Sequence, residues 1–246
     1  MIGQRKLLER LDRMLEDGIN GTFEESAYDE SELSRLEAKW YRYLTSSKLA
    51  YQKTMQEQNL DDESRKLVDE IRQQSEKLDF LIQSLVKTSR LESGIIQLVS
   101  VQKDFAPMVE AAIGQVRPKA AEKKMEISFD KRECTAKYDP KWTREAVFNL
   151  LDNAVKYSPE GSKIRVSLKE YELFSCISVS DQGRGITEEE QPLIFGRFYR
   201  GSEVREENGV GIGLYLTRQI IEGQGGYVTV CSEKGKGSTF EIYLPR

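Results

Sequence analysis

Residues 140–158 read PKWTREAVFNLLDNAVKYS, and they decide how the second half of this chain is organised. Asp139 before Pro140 is a helix-capping residue followed by the residue best suited to a first helical turn. Val147, Leu150, Leu151 and Ala154 supply apolar faces that would pack on a sheet. Glu145, Asn149, Asn153 and Tyr157 fall four apart and so form one polar stripe along the same helix. Amides have poor propensity inside helices, so two at this spacing ask for a reason. A magnesium ion bridging phosphates is one such reason, because a neutral amide carbonyl supplies a single oxygen without overbinding. An ordinary solvated face would also carry polar residues at these positions.

Two glycine motifs follow. DQGRGI (181–186) places Asp181 at the end of an apolar strand, where Gly183 and Gly185 let the backbone approach a flat ligand. Taken alone it reads as an ordinary Asp-containing turn. GVGIGL (209–214) precedes a helix, so its amides and the helix N-terminus would face phosphate oxygens. A dinucleotide fold is disfavoured: these glycines follow a long charged loop, not a strand, and no βαβ unit continues after them. The Walker pattern G-x-x-x-x-G-K-[ST] is absent.

Around these motifs the texture is mixed. A helical stretch to Lys123 leads to two short strand-like runs, MEISFD and ECTAKYD. KIRVSLKEY and LFSCISVSD alternate as strands do, a helix starts near Val210 and ends by Gly223 to Gly226, and YVTVCSEKGKGSTFEIYLP closes as a hairpin on a Gly-Lys-Gly turn. The expected architecture is one sheet covered on one face by helices.

The first hundred residues differ. All six prolines lie at or after Pro107, which leaves the N-terminal part free to be helical. Leu7, Leu8, Leu11 and Leu15 mark one helix, and Leu33, Leu36, Trp40 and Leu44 a second. A third runs from about Asp61 to Leu91, with Leu67, Ile71, Leu78, Leu81 and Leu85 as a heptad seam ended by Gly94. The seam fits an intramolecular helix pair or a dimerising bundle. The expected fold class is therefore α+β, with a bundle-like or coiled-coil helical region over 1–100 and an α/β sandwich over 101–246.

Composition narrows the function. Hydrophobic content of 38% with 32% charged residues reads as globular, and a net charge of −4 argues against nonspecific nucleic-acid binding. No apolar run reaches the roughly 20 residues of a membrane helix, and the N-terminus lacks a signal-peptide core, so a cytoplasmic chain is expected. Cys134, Cys176 and Cys231 lie far apart and read as buried free thiols. There is no histidine at all. Without it, or any C-x-x-C pair, a zinc site has nothing to be built from.

In combination, EAVFNLLDNAVKYS, DQGRGI, IFGRFYRG, GVGIGLYLTRQII and GKGSTFEIYLP resemble the ATP-binding domain of sensor histidine kinases, which shares the Bergerat fold with gyrase-type ATPases. The likeness covers roughly Val101 to Arg246. It implies ATP and Mg²⁺ as ligands, with Asn153 holding the metal and Asn149 beside it. It implies that Glu145 lies near the γ-phosphate, that Lys156 and Tyr157 run along the nucleotide, and that Asp181 accepts the adenine amino group. Phe195 and Phe198 would anchor a lid, Arg200 would reach phosphate, Gly209, Gly211 and Gly213 would wrap the triphosphate, and Thr239 would sit beneath the adenine. QQSEKLDFLIQSLVKTSRLESGIIQL resembles the second helix of the family's dimerisation and phosphotransfer bundle. The S-H-[EQ]-x-[KR]-T-P acceptor motif is missing: SSKLAYQKT runs almost directly into QEQNLDDESRK, as if a segment were lost near Thr54 to Gln56. The resemblance therefore implies a kinase-like protein unable to phosphorylate its own histidine. It would act on a partner in a homodimer or heterodimer, or bind a partner kinase or response regulator with ATP as a switch or an incidental ligand.

Overall fold

Capping and alternation build the elements that carry the site. The computed structural model describes residues 62–199, 201 and 211–246. The helices expected before Asp62 and the proposed lost segment near Thr54 to Gln56 lie outside the described residues. The chain divides into two compact units, Met1–Ser89 with Glu206–Val210, and Arg90–Arg205 with Gly211–Arg246.

The first described helix, α1, spans Asp62–Glu92, and Gly94 at φ +69° ends it. Of the expected seam, Leu67 is exposed and Leu85 half-buried, while Ile82, Ser84, Val86 and Thr88 are buried. The side chains of Ile71, Leu78 and Leu81 lie outside the described residues.

In the second unit, β1 (Val101–Asp104) pairs antiparallel with β3 (Thr135–Tyr138) as a small sheet. The main sheet holds β2 (Glu126–Asp130), β4 (Lys163–Glu170), β5 (Phe174–Ser180), β6 (Tyr227–Glu233) and β7 (Gly237–Pro245). Its order is β2-β4-β5-β7-β6, with β2 parallel to β4 and the other pairs antiparallel. Three helices pack side by side on one face: α2 (Ala106–Glu122), α3 (Pro140–Tyr157) and α4 (Gly213–Glu222). Val147, Leu150, Leu151 and Ala154 of α3 meet Ile164, Val166, Ile177 and Ile242 of the sheet in one buried core.

Asp139 starts α3 as its sequence implies. Its Oδ1 accepts the N–H groups of Lys141 and Trp142 at 3.0 and 3.1 Å, and its Oδ2 accepts that of Val99 at 2.9 Å. At the other end, the Lys123 ammonium donates to the carbonyls of Val155, Lys156 and Ser158, the groups a helix C-terminus leaves without partners.

Three expectations change. LFSCISVSD does not bury alternately: Ser175 to Val179 are all buried, because β5 is the central strand and its outward Cys176 pairs across the ladder with Tyr243. Cys134 and Cys176 are buried, but Cys231 is exposed, since β6 is an edge strand and Cys231 points away from the helices. The last helix starts at Gly213, not Val210. None of the described helices is long and apolar enough to cross a membrane.

Candidate functional site

The mid-helix amides of α3 hold different places. Asn149 donates its Nδ2 to the Gly213 carbonyl at 3.3 Å and lies 3.5 Å from the Thr217 hydroxyl, so it ties α3 to the start of α4. Thr217 in turn donates to Gly213 at 2.9 Å. One turn on, Asn153 is half-buried and makes no hydrogen bond to any described residue. Its side-chain amide, both acceptor and donor, has no hydrogen-bond partner among the described residues. Glu145 stands one turn earlier on the same stripe, also half-buried.

At the end of α3, the Lys156 ammonium donates to the Tyr157 hydroxyl at 2.9 Å and lies 4.5 Å from its ring centroid. Arg184 from DQGRGI lies over the same ring at 5.6 Å. Arg184 was not among the expected site residues; the signal available was its position between the two glycines of that motif.

The DQGRGI loop folds back on that helix end. Gly183 is buried, and a Cβ there would stand 2.9 Å from the Tyr157 carbonyl and 2.8 Å from Asp181 Oδ1. Asp181 Oδ1 accepts the N–H groups of Gly183 at 2.8 Å and Ser238 at 3.3 Å, while Oδ2 takes no hydrogen bond from a described residue. Burial raises the Asp181 pKa above the ordinary carboxylate value, and the two N–H groups oppose the rise in part. Gly185, at φ +72°, leaves no space for a side chain, because a Cβ would be 2.0 Å from the Glu233 carbonyl. A Cβ at Gly237 would likewise stand 2.1 Å from the Asp181 carbonyl. Sequence reasoning saw Gly237 only as a turn residue. Thr239, across the ladder from Ser180, shares a 2.7 Å hydroxyl contact with it.

The third wall is the start of α4. Its N-cap residue, Ile212, makes no side-chain capping bond to the first-turn N–H groups. Gly211, at φ +75°, lies against Phe198 and Tyr199, where a Cβ would be 2.6 Å from the Tyr199 carbonyl. Phe195 is buried with its ring edge-on to Phe240 at 6.4 Å, and Phe198 adopts φ +57°. Arg200 and Gly209 lie outside the described residues.

Thus the Asn149–Gly213 bond joins α3 to α4, and Gly183 joins α3 to the Asp181 loop. The stripe, the carboxylate, Thr239 and the uncapped helix form one connected arrangement. Residues 138–246 match the family described as histidine kinase-, DNA gyrase B-, and HSP90-like ATPases. That stretch, less than half of the chain, is what carries the likeness to the family. This histidine-kinase-like chain is 34% identical over 208 residues to the adaptive-response sensory kinase SasA of Synechococcus sp. (strain JA-3-3Ab), covering 82% of this chain and 55% of SasA. It therefore spans about half the length of that relative. Among solved structures it resembles a mycobacterial sensor histidine kinase, MprB, at 28% identity and a TM-score of 0.54, over 60% of this chain and 97% of that one. Full-length ShkA in complex with AMPPNP shares the fold at 24% identity and a TM-score of 0.73, over 89% of this chain and 46% of that one.

Proposed function

We propose that this histidine-kinase-like domain binds Mg·ATP and transfers phosphate to a histidine on a partner chain in two-component signalling. The observation that carries the reading is that, on one connected arrangement, Asp181 Oδ2 and the Asn153 side-chain amide have no hydrogen-bond partner among the described residues and the N-cap of α4, Ile212, makes no side-chain capping bond. A carboxylate with one oxygen satisfied and one open suits an exocyclic amine, so Asp181 would receive the adenine amino group, with Thr239 beneath the ring. Lys156 and Tyr157 would lie along the nucleotide. The first turn of α4, with Gly211 and Gly213, would face the triphosphate, joined by Gly209 and Arg200.

Asn153 fits a magnesium ion as a single neutral oxygen donor, and the Asn149 carbonyl is available beside it because its Nδ2 is the atom committed to Gly213. Bound Mg²⁺ would supply charge neutralisation at the phosphates. Glu145, one turn before Asn149, would orient the acceptor near the γ-phosphate. The chain's own contribution is positioning and charge stabilisation, which is how phosphoryl transfer is catalysed in general. The reading treats residues 1–100 as a helical region that forms the homodimer or heterodimer, 101–246 as the catalytic domain, and the cytoplasm as the compartment where ATP is met.

The absence of histidine from all 246 residues favours a second reading, in which no phosphate is transferred and bound ATP switches docking to a kinase or response regulator. Calorimetry of Mg·ATP with the intact chain, Asp181→Ala and Asn153→Ala tests the site; unchanged affinity in both variants would sink it. Label transfer from γ-labelled ATP to a histidine-bearing bundle domain then separates the two readings. Transfer supports the first. Nucleotide-dependent partner binding without transfer supports the second.

A further inference from the structure

Glu92, the last residue of α1, has a side chain only 12% exposed. Its Oε1 accepts the Tyr215 hydroxyl and also pairs with the Arg197 guanidinium, and Arg197 lies over the Tyr215 ring at 4.9 Å. Its Oε2 is buried with no hydrogen-bond partner. All three residues belong to the same compact unit. Such a carboxylate is costly to bury, and an apolar side chain would fill the space at less cost. What the charged cluster adds is a fixed geometry between two chain segments.

Those segments border the proposed phosphate side of the site. Arg197 immediately precedes Phe198 and Tyr199, whose backbones touch Gly211 so closely that no Cβ fits between them. Tyr215 lies in the first turn of α4, two residues after Gly213. Glu92 therefore bonds one side chain from each half of a backbone-to-backbone contact that sets where the α4 N-terminus points.

We propose that Glu92 is a positioning residue for the nucleotide site, holding the first turn of α4 against residues 197–199, so that ATP affinity depends on the last turn of α1. This inference rests on the ATP reading given above.

The test compares ATP with adenosine, which lacks the groups α4 would face. Calorimetry uses the full chain, Glu92→Gln and Tyr215→Phe, with the melting temperature of each apo protein measured alongside. The expected result is an about tenfold loss of Mg·ATP affinity in both variants, with adenosine affinity unchanged. Tyr215→Phe removes only a hydroxyl, so it carries the comparison if Glu92→Gln fails to fold. Equal ATP affinity in variant and intact chain overturns the proposal while leaving the ATP reading standing. So does a parallel loss for ATP and adenosine, which marks general loosening. An intact chain that binds no ATP overturns the ATP reading, and this inference with it.

Discussion

Asn149 Nδ2 donates to the carbonyl of Gly213, 64 residues later, at 3.3 Å. This bond couples the polar stripe of α3 to the helix start that faces the proposed triphosphate. The Asn149 amide therefore has a structural partner through its nitrogen.

That relationship makes Gly213→Ala informative. A Cβ there meets nothing closer than Asn149 Cγ at 3.8 Å, which is ordinary van der Waals contact. Apo stability should stay within about 1 kcal/mol of the parent, because alanine is the better helix former. Mg·ATP affinity should fall about tenfold if the backbone must approach phosphate closely. Urea denaturation and calorimetry on the same preparation check both halves; unchanged affinity would remove Gly213 from the site.

Asp181→Asn separates stability from binding. Asn keeps an acceptor for the Gly183 and Ser238 N–H groups and loses the buried charge. An aspartate whose folded pKa is raised above 3.8 binds a proton more readily folded than unfolded. Its favourable contribution is complete below that value and is lost as pH rises through the folded pKa. The variant should therefore melt higher than the parent at pH 7, with the gap narrowing as pH falls toward 4. ATP affinity should drop by about 10- to 100-fold, the loss of a hydrogen bond to a charged acceptor.

The left-handed glycines are not equivalent. Gly161 has φ +76° with open space around a Cβ, so alanine there should cost only the backbone term of about 1–2 kcal/mol. Gly185 has φ +72° and a Cβ that would overlap the Glu233 carbonyl. Gly185→Ala should destabilise more than Gly161→Ala and disrupt the Asp181 loop. Paired denaturation curves decide it, and equal losses would refute the close-approach assignment.

Asp139→Ala removes a cap and the bond to Val99 but touches no proposed ligand group. The loss should be about 1–2 kcal/mol in urea denaturation, with Mg·ATP affinity retained. A larger loss of affinity than of stability would mean that the start of α3 matters to the site directly.

Thiol titration with a chromogenic disulfide should show Cys231 reacting fast. Cys176 should react only on unfolding, since burial pushes its thiol pKa up to about 12. Cys134 is buried as well, and its pKa is also raised, chiefly by burial. Rapid reaction at Cys176 would contradict its placement in the central strand.

Much of the second half of the chain was legible in the sequence because its signals are local. Asp139 and Pro140 specify a helix start through one side chain and one ring. The four-residue spacing of Glu145, Asn149, Asn153 and Tyr157 follows from helical geometry alone, and the glycines of DQGRGI announce tight backbone turns. The closing hairpin was likewise written in the turn residues Gly235 to Gly237.

Other features depend on partners far along the chain, and only the tertiary structure decided them. Cys231 and Ser178 sit in strands of similar composition, yet one is exposed and the other buried because one strand is at the edge of the sheet and the other at its centre. Gln224 is an undistinguished loop residue in sequence, and in the fold its Oε1 accepts the Asp139 N–H at 2.5 Å, joining the end of α4 to the start of α3. Glu92, Arg197 and Tyr215 each read as ordinary surface residues of helix or loop. Propensity, capping and periodicity act over a few residues, so sequence by itself determined the helices, turns and candidate ligand groups. Which of those groups meet, and which carboxylate is enclosed, follows from long-range packing that no local pattern encodes.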